Sequence, residues 1–131
     1  MNITDHEWME QFENATLPSS GFHHVDHVKM AFLYLQLYPP LEAIKRFSSA
    51  LIRFARANGK PNLYHETITW AFLLLIRERM VRAGSPLTWA EFAAANPDLI
   101  GWEDNILKKY YRPETLACEL AKRVFLFPDK L

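Results

Sequence analysis

The chain has 131 residues, of which 50% are apolar, 14% aromatic and 23% charged; that is about one domain's worth on the usual ~100 to 200 residues per domain, and far from a disordered composition. Fifteen basic residues balance fifteen acidic ones, so no global field draws the chain to nucleic acid or to an anionic membrane surface. A single cysteine, Cys118, excludes an internal disulfide and a Cys-x-x-Cys zinc site, and the length excludes separate cofactor and substrate domains, which leaves one helical domain over 1–131 as the expectation.

Residues 1–15 carry acids and Trp8 where a secretory signal has a basic start and an apolar run; no export, and a cytoplasmic location, are expected. The most apolar stretches, 30–35 and 68–76, are well short of the ~18 to 20 residues that cross a bilayer. Gly and Pro supply the punctuation, at 18–21, 39–40, 59–61, 84–86, 97, 101, 113 and 128. Thr4-x-x-Glu7 is a capping box that opens a first helix ending near Asn14. A second helix is expected over 24–38, with Val28, Ala31, Phe32 and Leu35 on one stripe and Pro39-Pro40 as its stop.

Pro40 at a first turn, followed by Leu41, Ile44, Phe47, Leu51 and Phe54 at spacings of three and four, predicts an amphipathic third helix that Asn58-Gly59 ends. Lys45, Arg46, Arg53, Arg56 and Lys60 form a modest basic ridge, which is ordinarily a solvated face. Over 64–82 the apolar residues Ile68, Phe72, Leu75, Ile76 and Val81 share a face that Trp70, Leu73 and Leu74 widen, which predicts a central fourth helix. Thr88-x-x-Glu91 is a second capping box, opening a short helix that Pro97 terminates, and the tail adds one or two helices over 105–111 and 113–125. No segment alternates apolar and polar residues as a half-buried strand does. The expected fold is all-α, a compact single-domain bundle of about five to six helices.

Four of the five histidines, His23, His24, His27 and His65, fall at the predicted starts of the second and fourth helices. Residues three apart on a helix are neighbours, so His24 and His27 can reach one point in space. If the third helix carries the chain back along the bundle, the second and fourth start at the same end, and His65 can complete a three-nitrogen set for a divalent transition metal. Asp26 and Glu66 point ~100° away from the adjacent histidines, and each also suits the positive end of a helix dipole, so second-shell or capping roles come first for them. The dipole disfavours imidazolium and keeps the rings neutral, as a metal ligand or general base requires; the same dipole opposes a cation and favours a small anionic ligand. Tyr64, Thr67 and Thr69 offer hydroxyls that could orient such a ligand, although residues of this kind usually cap or pack.

The plainer alternative is that helix-start histidines hydrogen-bond to nearby backbone or acids. His6 and Glu10 are an ordinary i, i+4 surface pair, and Cys118, beside Glu119, has no basic neighbour to activate it. The aromatic stripe of the second to fourth helices is core by default and a pocket wall by exception.

At Phe22-His23-His24-Val25-Asp26-His27 and Tyr64-His65-Glu66-Thr67-Ile68-Thr69 the sequence resembles a group of small bacterial proteins of unassigned biochemical role. In these, Phe-x-His-x-Asp-His precedes one helix and Tyr-His-Glu-Thr-x-Thr opens a later one. The likeness covers most of the chain, through Leu126-Phe127-Pro128-Asp129. It implies no activity or cofactor, only that the two histidine segments belong to one site containing His24, Asp26, His27, His65 and Glu66. The expectation is therefore a site where His24, His27 and His65 bind a divalent metal or a small anionic molecule, with Asp26, Glu66, Tyr64 and Thr69 as ligand-binding or supporting groups. Acid/base or metal-assisted chemistry would be open to it. The alternative is a non-catalytic interaction module, a homodimer for instance, in which the histidines are structural and the surplus apolar area is buried by association.

Overall fold

The computed structural model describes residues 3–130, so the extreme ends of the expected 1–131 domain lie outside it. Eight α-helices run in chain order: α1 (Asp5–Glu13), α2 (His24–Leu37), α3 (Pro40–Ala57), α4 (Glu66–Arg82), α5 (Trp89–Ala95), α6 (Pro97–Ile100), α7 (Pro113–Ala117) and α8 (Glu119–Arg123). Two 3₁₀ turns, Pro61–Leu63 and Ile106–Lys109, join them, and no strand occurs among the described residues. The fold is all-α.

The local signals act through explicit hydrogen bonds. The Glu7 N–H donates to Thr4 Oγ1 at 3.1 Å and the Glu91 N–H to Thr88 Oγ1 at 3.2 Å, while Glu91 returns a carboxylate oxygen to the Thr88 N–H at 2.9 Å. Each bond satisfies an orphan donor at a helix start. At the end of α3, Gly59 adopts φ 72°, a left-handed conformation that costs glycine little. There the Gly59 N–H reaches the Arg56 carbonyl and the Lys60 N–H the Ala55 carbonyl. This Schellman arrangement closes the helix and fixes where Lys60 leaves it.

Seven consecutive or near-consecutive residues of α2 are buried, Val28 and Met30 to Leu35, because α3, α4 and α6 all pack against it. Near the start of α2, the His24 and Phe72 rings are 4.8 Å apart. Beyond the end of α4, the Gln36 amide of α2 donates to the Leu87 carbonyl. With these two anchor points, α2 and α4 run side by side in the same direction, and α3 returns between them. Phe12 of α1, fully buried, packs its ring against Phe22, Tyr34, Phe47 and Phe54 at 5.5 to 6.1 Å, edge-on or offset as aromatic quadrupoles prefer.

Three expectations change in detail. The central helix is α2 and not α4, since Leu74 and Val81 on α4 stay exposed. Pro97 starts α6 in addition to ending α5: a proline at N1 has no N–H to lose, and Asn96, with φ −132° and ψ 58°, breaks the helix before it. The tail is two one-turn helices with Cys118 extended between them, and 105–111 contains a 3₁₀ turn. Carbonyls of this tail are taken up by side chains at the start of α4. His65 Nε2 lies 2.7 Å from the Leu116 carbonyl, and the buried Thr67 hydroxyl lies 2.7 Å from Ala121 O and 2.8 Å from Val124 O.

Candidate functional site

The starts of α2 and α4 open onto a cavity of about 520 Å³ between α2, α3 and α4, within the ~300 to 1,000 Å³ range of small-molecule sites. His24, His27 and His65 all line it, as do Tyr64 and Thr69. Its deeper walls are apolar: Val28 and Ala31 from α2, Phe47 and Phe54 from α3, Leu73 and Ile76 from α4. Both histidine segments thus border one cavity.

The three rings differ in what they have free. His65 is the N-cap of α4; its Nδ1 accepts the Ile68 N–H at 3.1 Å and its Nε2–H donates to the Leu116 carbonyl. Both nitrogens are committed to the fold. His24 donates Nε2–H to the Leu99 carbonyl at 3.0 Å, which leaves Nδ1 as an acceptor. Its ring lies between Phe72 and Trp102, with centroids at 4.8 and 5.1 Å, and burial lowers its pKa, opposed by the bond to Leu99. His27 packs on Phe22 at 4.4 Å. Burial, reinforced by His24 and opposed by Asp26, takes its pKa down to about 4, so the ring is neutral at pH 7 and holds one donor and one acceptor.

The acids stand outside the cavity wall. Asp26 accepts the His23 N–H at 2.9 Å, closing the start of α2. Glu66 accepts the Tyr64 hydroxyl at 2.6 Å; burial and this carboxylate push the Tyr64 pKa up. Asp26 thus caps α2, and Glu66 holds the Tyr64 hydroxyl. Among the described residues, no group of three or more His, Cys, Asp or Glu side chains is placed to hold a metal ion.

Several lining residues escaped the sequence reading. Phe22 reaches the site from the α1–α2 loop, which is pinned by the Ser19 N–H donating to Asn58 Oδ1 at 3.2 Å. Trp102 comes from the loop after α6 and is 51% exposed. Lys60, grouped in sequence with the basic ridge of α3, is carried past Gly59 to the cavity rim. Only the Asn58-Gly59 stop hinted at this, by showing that Lys60 lies off the helix. The other ridge residues behave as surface: Arg46 pairs with Glu42 at 3.1 Å and Arg53 donates to the Glu13 carbonyl. His6 and Glu10 form the expected exposed pair at 3.0 Å.

The chain matches no protein-family model, no curated protein and no solved structure. What the site does must therefore follow from its own geometry.

Proposed function

We propose that the protein binds a small molecule in the cavity between α2, α3 and α4, with an apolar body against the deep aromatic and aliphatic wall and a polar head at the histidine end. The observation that carries this reading is a ligand-sized cavity onto which the start of α2 brings His24, with Nδ1 not used by the fold, and His27. A mostly apolar lining with a few convergent polar groups is the usual make-up of a small-molecule site. His24 Nδ1 and the His27 ring would hydrogen-bond the head, with Thr69 lining the same cavity, while the Tyr64 hydroxyl is held by Glu66. The neutral His27 ring could also accept a proton from a bound molecule. A divalent metal is the less supported occupant, because His65 spends both nitrogens on Ile68 and Leu116.

Titration with the neutral fluorophore N-phenyl-naphthylamine tests this. One-to-one saturable binding is expected, weakened at least about tenfold by Leu51→Trp, which fills the cavity from its half-buried α3 wall, in a variant whose thermal unfolding stays cooperative. Absence of binding, or equal binding to Leu51→Trp, would overturn the reading. A zinc-dependent rise in Tm that His24→Ala abolishes would instead favour the metal.

A second reading is association through apolar surface. It is supported by Leu41 and Phe127, each 83% exposed, and it is compatible with an occupied cavity.

A further inference from the structure

The cavity is electrically simple. Lys60 is, among the described residues, the one lining residue of a fully charged type. It is exposed, and among the described residues it takes part in no ion pair. The two acids closest in sequence to the histidines, Asp26 and Glu66, are occupied by the His23 N–H and the Tyr64 hydroxyl and do not line the wall. Lys60 lies two residues past Asn58, whose Oδ1 accepts the Ser19 N–H of the loop leading into α2, and Ser19, Asn58, Tyr64 and His65 line the same cavity. An unpaired ammonium at the rim of an otherwise neutral, apolar cavity attracts one negative charge, and the low-dielectric wall behind it strengthens that attraction relative to open solvent.

Resting on the small-molecule reading above, we infer that the ligand is an amphiphilic monocarboxylate, a fatty or aryl acid, whose carboxylate sits between Lys60 and the His24–His27 end and whose apolar body fills the cavity. One cation matches one negative charge; a dianionic phosphate would be left half-neutralised. An alkylammonium head would meet Lys60 as a like charge. A neutral His27 ring can still donate its N–H to a carboxylate oxygen, a charge-assisted bond that fixes the head without a second full charge.

Decanoate, decanol and decylammonium share a tail and differ in the charge of the head, so calorimetric titration of each against wild type and Lys60→Glu isolates Lys60. The charge reversal is expected to weaken decanoate about tenfold and to change decanol by less than about twofold, since an exposed ion pair contributes modestly and its reversal roughly doubles the effect. Decylammonium should bind Lys60→Glu more tightly than wild type, and raising salt should weaken decanoate but not decanol. Unchanged decanoate affinity in Lys60→Glu, or equal losses for decanoate and decanol, would overturn the carboxylate assignment while leaving the small-molecule reading standing. If none of the three ligands binds wild type and N-phenyl-naphthylamine also fails, both fall. If the fluorophore alone binds, only the carboxylate assignment falls.

Discussion

His27 shows how a single buried ring links ligand binding to stability. Its pKa is about 4 in the folded protein against 6.5 for an unburied imidazole. Below pH 6.5 the unfolded chain therefore takes up a proton that the folded chain refuses. The stability this neutral ring allows is complete above about pH 6.5, is lost progressively as pH falls, and is fully lost near pH 4, with a total of about 3 kcal/mol at most. His24, shifted in the same direction by burial, adds to the slope; Asp26 opposes it. Urea unfolding of wild type and His27→Gln should show the stability of wild type relative to the variant falling by up to about 3 kcal/mol between about pH 7 and pH 4. Parallel curves would show that His27 titrates as it does in water. His65 behaves differently: it is a structural imidazole whose two hydrogen bonds cap α4 and hold α7, and its substitution is a question of fold before it is one of function.

At the scale of elements, α4 organises the second half of the chain through polar contacts as much as through packing. Thr67 is fully buried. Its single hydroxyl proton is shared between the Ala121 and Val124 carbonyls, and its oxygen accepts the Leu126 N–H at 3.1 Å. Arg79 reaches the other side, donating to Asn96 at 2.8 Å and to both Asp98 oxygens at 3.0 and 2.8 Å, which ties α5 and α6 to the same helix. Thr67→Val keeps the shape and removes the hydroxyl, leaving buried backbone groups unpaired. The expected cost is about 2 to 3 kcal/mol, with amide exchange rising selectively over residues 113–130. If exchange in the tail is unaltered, α7 and α8 are held by the His65–Leu116 bond and the packing of Trp70 and Phe125 without Thr67.

For the molecule as a whole, the accessible surface is 8204 Å² for 15.3 kDa, against about 7,100 Å² for a typical folded monomer of that mass. That surface includes an open cavity and apolar side chains left in solvent, Leu37 and Leu41 at the α2–α3 turn and Leu120, Val124 and Phe127 in the tail. A standard protein–protein interface removes about 800 Å² from each partner, so association of two copies would bring the exposed surface back toward the usual range. Sedimentation equilibrium should reveal a reversible dimer at tens of micromolar, weakened by Phe127→Ser; a monomer at all accessible concentrations would remove the second reading and leave the cavity unaffected.

Helix existence, the capping residues Thr4 and Thr88, the glycine stop after Asn58 and the placing of both histidine segments at one end of the bundle, where they line one cavity, were legible in the sequence. Each depends on hydrogen bonds or periodicities spanning a few residues, or, for the histidines, on helix lengths that return the chain to the same end. The roles of the rings were not. Whether His65 faces a ligand or a carbonyl depends on Leu116, 51 residues away, and His24 is oriented by Leu99, 75 residues away. The Asn58-Gly59 stop set Lys60 off the helix that carries Arg53, but that it borders the cavity depends on how α2 and α4 pack beside that turn. Local chemistry set the elements of this protein; only packing decided which of their polar atoms remain free for a ligand, since in a buried core a polar atom is bonded to whatever the fold brings next to it.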